Sequence, residues 1–132
     1  MHFRLVLSAM VAVLLLLTGA VVLAAPPLLL ITRTYWTVSV LTLASGANKH
    51  THVAVTGRVA YVAREADGDL HMRLAAPDDS TLFIVAECIP ALPCAKPVKG
   101  TLITVYGISR KDSEHGWSEV HPVERWEAAL AP

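Results

Sequence analysis

Net charge is what this sequence lacks most. Eleven Lys or Arg stand against eleven Asp or Glu. From Lys49 onward, nine basic residues face eleven acidic ones, a net charge of −2 with histidine neutral. Charge-driven binding to nucleic acid needs a basic face, so that partner is disfavoured, though a local basic patch stays open. The common catalytic signatures are missing too. There is no Gly-x-Ser-x-Gly, no H-E-x-x-H and no phosphate-cradling glycine loop. Internal repeats and low-complexity tracts are absent. Cysteine is scarce: Cys88 and Cys94 are the only two, separated by Ile-Pro-Ala-Leu-Pro. That spacing is not C-x-x-C, and a zinc site would need two further ligands. In an exported chain the pair reads as one disulfide closing a short loop, with two buried thiols as the alternative.

Apolar residues, in contrast, are abundant, and many lie at the N-terminus. Leu5 to Ala25 carries no charge and follows a short, weakly positive start, Met1-His2-Phe3-Arg4. Residues 1–31 therefore read as a transmembrane anchor or a signal peptide. A run of about 20 residues is long enough to span a bilayer as a helix. Pro26 and Pro27 crowd the best cleavage position, which favours a retained anchor. The expected disulfide puts the rest of the chain outside the cytoplasm: membrane-anchored, or secreted or periplasmic if the leader is cut. Residues 32–50 read as a juxtamembrane segment and linker. Within them Thr34 to Leu43 is β-prone. It either sets Tyr35 and Trp36 at the lipid boundary or adds a strand to the following domain.

Residues 51–132 read as a small all-β barrel. Val53, Val55, Val59 and Tyr61 alternate with smaller or polar residues, the period of a half-buried strand. Gly57 permits a sharp coil or bulge in that strand. Asp67-Gly68 supplies a turn into a second strand, where Leu70, Met72 and Leu74 alternate with His71 and Arg73. Thr81 to Cys88 is a third strand, Gly100 to Arg110 a fourth and Trp117 to Arg125 a fifth. Pro122 marks an edge or bulge in the fifth, and Trp126 to Ala131 reads as one helical turn. Five strands, glycines in the first and fourth, and a long third-to-fourth connection match the OB-fold plan. That connection usually holds a helix. Here a proline-rich, disulfide-closed loop is expected to cap the barrel instead.

Three phrases carry a narrower likeness: Asp67 to His71 (DGDLH), Phe83 to Cys88 (FIVAEC) and His115 to Val123 (HGWSEVHPV). They resemble small exported bacterial OB-fold-like proteins of unknown function that share an H-G-W-x-E-V-H-P-V motif. Similar proteins often carry a second aromatic where this chain has Ser118. The resemblance implies a fold and a compartment, and no activity or ligand.

Histidine is the unusual component. His50-x-His52 and Glu119-x-His121 each set two ligand-capable residues on one strand face. In an OB-like barrel the loops after the first and fourth strands flank the binding face. That arrangement would gather His71, Arg73, His115 and Trp117, with Glu119 and His121 nearby. Three readings follow. The group is structural, with hydrogen-bonded histidines and Trp117 filling a barrel end. Or Trp117 stacks a ligand ring while Arg73, Lys111 and His115 hold an anionic or sugar group. Or His71, His115, Glu119 and His121 bind zinc or another transition metal; no other cofactor is expected.

The chain is thus expected to be a non-catalytic, envelope-associated binding module, with the membrane contacted through the N-terminal helix. Its ligand would be a protein, an oligosaccharide or an oligonucleotide. The alternatives are a metal-dependent hydrolase or nuclease on the His-rich face, and a structural subunit of an envelope assembly. The latter would make contacts through an edge at Pro122 to Arg125.

Overall fold

The computed structural model describes residues 33–130; the expected anchor or signal segment lies outside the described residues. Among the described residues no helix is long and apolar enough to cross a membrane. Six strands and one short helix follow in order: β1 (Trp36–Val38), α1 (Val40–Ala44), β2 (His52–Arg64), β3 (Leu70–Ala75), β4 (Phe83–Cys88), β5 (Leu102–Lys111) and β6 (Ser118–Ala128). β2 to β6 are the five expected strands.

These five strands close into a barrel in the order β2-β3-β4-β6-β5, with β5 returning to β2. All neighbours are antiparallel except β4 and β6, which run parallel. Closure depends on the 13-residue length of β2. Its first half, His52 to Arg58, pairs with β5, and its second half, Arg58 to Arg64, pairs with β3. Gly57 sits at the hand-over. A Cβ there would come within 2.9 Å of the Ala75 carbonyl oxygen, so β3 can cross β2 closely only because the side chain is missing. The inner side is filled by Val53, Val55, Val59, Leu70, Met72, Leu74, Ile84, Ala86, Ile103, Val105, Val120 and Val123, all buried.

Three expectations need correction. Tyr61 does not continue the inward set of Val53, Val55 and Val59. A register shift between Val59 and Tyr61 turns it outward, 47% exposed, and Val62 packs on the core instead; one extra residue in a bulge flips every later side chain to the other face. Trp126 to Ala128 is not helical, because β6 keeps pairing with β5 as far as Ala128 opposite Ile103. Trp126 instead donates its Nε1–H to the Ala95 carbonyl oxygen at 2.8 Å and so ties the disulfide loop to the barrel.

The β-prone stretch before the barrel is part strand and part helix. Only Trp36–Val38 forms a strand, and it adds to β2 in parallel. At Ser39 the chain turns into α1, with the Ser39 hydroxyl accepting from the Thr42 N–H at 3.0 Å as an N-cap. α1 buries Val40 and Leu43 in the core against β2, β4 and β6. Five residues are too few for a helix that stands by propensity; burial of those two side chains holds it. The helical plug therefore comes from before the first barrel strand and not from the third-to-fourth connection. That connection, residues 89–101, is closed onto the end of β4 by the expected Cys88–Cys94 disulfide.

Candidate functional site

The register of three neighbouring strands sets up the site. His71 on β3 lies opposite Glu87 on β4. Ala86 on β4 lies beside Val120 on the parallel β6, so the next residues, Glu87 and His121, are also neighbours. Leu70, Met72, Ala86, Cys88 and Val120 point inward. Their alternating partners His71, Glu87 and His121 therefore share the outer face, side by side in one row. The adjacent row on the same face holds Arg73, Val85, Glu119 and Arg110.

Two loops flank this face. Residues 65–69 join β2 to β3 through the expected Asp67-Gly68 turn, closed by the Glu65 N–H on the Asp69 carbonyl oxygen at 2.8 Å. Residues 112–117 join β5 to β6. There the Asp112 carboxylate accepts the backbone N–H groups of Glu114 at 2.8 Å and His115 at 3.1 Å. The first loop brings Asp69 to the row; the second brings His115 and Trp117.

Polar pairing in the row is uneven. The His71 Nδ1 position and Glu87 Oε1 are 2.8 Å apart, so the protonated ring nitrogen donates to the carboxylate. Glu87 Oε2 is left facing His121 Nε2 at 3.8 Å, and Asp69 Oδ2 faces the same nitrogen at 3.9 Å. On the other side of that ring, Nδ1 lies 4.0 Å from Glu119 Oε1. Glu119 is 1% exposed, and its charge is balanced by the Arg110 guanidinium, whose Nε–H it accepts. None of the three contacts to His121 is a hydrogen bond. Both its ring nitrogens are sealed from solvent without a partner, and so is Trp117 Nε1. Buried polar atoms left unpaired cost stability and mark places where something else completes the bonding.

The basic groups among the ligand-face candidates are engaged within the chain. Arg73 sits over the Phe83 ring, 4.3 Å from its centroid. Lys111 Nζ donates to the Gly116 carbonyl oxygen at 2.7 Å. Trp117 carries the His115 ring stacked on one face at 4.7 Å and the His71 ring edge-on at 6.1 Å. Of the four metal candidates, His71, Glu119 and His121 are on the outer face. His115 projects from the loop and pairs with Asp112. His50 is elsewhere, stacked on Trp36 at 4.3 Å.

Asp69 and Glu87 complete the group, and neither is among the expected metal ligands. Asp69 was hidden by its place in a turn sequence. Glu87 was hidden within an apolar strand, although a lone carboxylate in the run FIVAEC is itself a signal. Only strand register could join them to His121.

The His115–Asp112 pair sets a pH window for the second loop. The Asp112 hydrogen bond raises His115 above its ordinary value of 6.5. The His115 hydrogen bond in turn lowers Asp112 below its ordinary 3.8. The pair's contribution is complete between pH 3.8 and 6.5, is lost as pH rises through the raised His115 value, and is lost as pH falls through the lowered Asp112 value. An NMR titration should place the His115 midpoint above 6.5, with Asp112→Asn returning it toward that value. A wild-type midpoint at or below 6.5 would remove the pair as the support of this loop.

A scan of protein-family models and a search of curated proteins find no match to this chain.

Proposed function

We propose that the chain is an OB-like, non-catalytic binding module working at the cell envelope. Its binding face is the outer surface of β3, β4 and β6 between loops 65–69 and 112–117. The OB-like reading is supported by the strand order, the parallel β4–β6 pair and the closure of β5 on β2. In barrels of that plan, the second and third strands and the two loops named here form the usual binding surface. A location outside the cytoplasm is supported by the Cys88–Cys94 disulfide and the apolar N-terminal run. The likeness of the HGWSEVHPV stretch to exported bacterial proteins points the same way.

The observation that carries the reading is the coincidence of unpaired, buried polar atoms with this one face. His121 and Trp117 hold the buried side-chain nitrogens that lack partners among the described residues, and both are on it. A ligand that displaces the groups now covering these nitrogens completes their bonding. Candidate partners are an envelope protein or an oligosaccharide; an oligonucleotide fits the acidic domain less well. The metal-dependent hydrolase reading draws on the same residues, through the set Asp69, Glu87 and His121.

The test uses the full chain labelled with 5-fluorotryptophan, which yields one fluorine resonance each for Trp36, Trp117 and Trp126. Solubilised envelope proteins and envelope glycans are added separately. The proposal expects the Trp117 resonance to move with one of them while Trp36 stays. Movement of Trp36 alone would shift the contact to the β1 edge. No movement of Trp117 with any fraction would end the binding-module reading.

A further inference from the structure

We propose that the binding face holds a divalent transition-metal ion, coordinated by His121 Nε2, Glu87 Oε2 and Asp69 Oδ2. This deepens the binding-module reading and rests on the same face.

The three ligand atoms lie within 4.8 Å of one another, with the two distances to His121 Nε2 being 3.8 and 3.9 Å. Those are too long for hydrogen bonds. They suit two ligands on a shared cation. A point exists no more than about 2.5 Å from all three atoms, a few tenths of an ångström outside ordinary Zn–N and Zn–O bond lengths. A small inward movement of Asp69, which sits on a turn, closes that gap.

The surroundings fit the same role. Glu87 gives one oxygen to His71 and presents the other to the site. A ligating carboxylate oriented by an outer hydrogen-bond donor is the usual second-shell arrangement of metal sites. Two carboxylates with only an imidazole between them leave local negative charge, since Glu119 is already balanced by Arg110. That charge is offset by a divalent cation. One imidazole with two carboxylates suits zinc or manganese, with a fourth position left for water or a donor atom of the partner. His115, held on Asp112 away from the three ligands, and Glu119, held by Arg110, are not needed as ligands.

The full chain is purified without a metal-binding tag, stripped with a chelator and titrated with cobalt(II), read by its visible absorption, with zinc as competitor. One equivalent is expected. His121→Ala and Glu87→Gln should abolish saturable binding. His71→Ala should weaken it about 10- to 100-fold, as loss of an outer-shell partner does. Bound zinc should also raise the thermal midpoint of the wild type, and Asp69→Asn, in the β2–β3 loop outside the barrel core, should cancel that rise without unfolding the chain. Absence of a saturable equivalent in the wild type would overturn the proposal, as would binding unchanged in His121→Ala and Asp69→Asn. If metal fails but the Trp117 resonance still answers an envelope fraction, the cation site alone is lost. If both fail, the binding face is lost with it.

Discussion

Replacing Gly107 with alanine should lower the stability of the barrel by about 3 kcal/mol, at the upper end of the range for overpacked cores. A Cβ at this position would clash with the Pro122 carbonyl oxygen and sit 2.8 Å from Val120 Cγ1 and 3.0 Å from Val123 Cα. Two of these three atoms belong to the β6 backbone and cannot rotate away. The β5–β6 ladder already shifts register on both sides of Gly107, so the two strands touch where the regular pairing is interrupted. Relief requires β6 to move outward. Glu119 and His121 sit just before Pro122 on that strand, so the substitution should disturb the binding face as well. Gly100→Ala is the control. Nothing lies within 4 Å of a Cβ there, although its φ of +90° keeps a strain cost of about 1 kcal/mol. Denaturant unfolding of the full-chain variants gives the comparison. Equal losses at the two positions would contradict the close β5–β6 approach.

Leu43→Ala should cost about 3 kcal/mol, the middle of the range for a buried leucine. In a domain of this size that corresponds to a fall of roughly 10–20 °C in the thermal midpoint. Leu43 is 2% exposed and is part of the single core cluster of the barrel. Leu41, two residues earlier on the same short helix, is 59% exposed. Leu41→Ala should therefore change stability by less than about 0.5 kcal/mol. The contrast separates a helix that plugs the barrel from one that merely precedes it. Similar effects from both substitutions would contradict the plug. The same reasoning predicts that a chain begun at Lys49 loses the plug and with it much of the core at that end.

The first two barrel strands are legible because they show an inner face by alternation, and the third because it is an apolar run of strand length. Leu70, Met72 and Leu74 alternate with His71 and Arg73, and the Asp67-Gly68 turn sets where the hairpin reverses. Glycines at 57 and 107 are legible as places where a strand can coil or bend, while the close approach of β3 and β6 to them follows from the strand register. What could not be read has a common cause. Tyr61 continues the period-two pattern, yet a bulge that leaves no local trace in the sequence reverses its direction. Val40 to Leu43 lies in a stretch that is β-prone by composition, and its helical form depends on a cavity that other strands create. Trp126 lies in a segment with fair helix propensity, but pairing with β5 outweighs it. The site divides in the same way. His71, Glu119 and His121 were visible as ligand-capable residues on strands. Asp69 and Glu87 became members only through the register of β3, β4 and β6, which spans residues far apart in the chain.

The most direct test of the binding face is site-specific photocrosslinking of the full chain in cells that produce it. A photoreactive residue is placed at Arg73, on the outer face of β3, or at Thr104, on the outer face of β5 where it bonds Thr56. Adducts should form from position 73, be absent from position 104, and disappear when Trp117→Ala is added. Adducts from position 104 in place of 73, or adducts from 73 that survive the loss of Trp117, would contradict the assignment of this face.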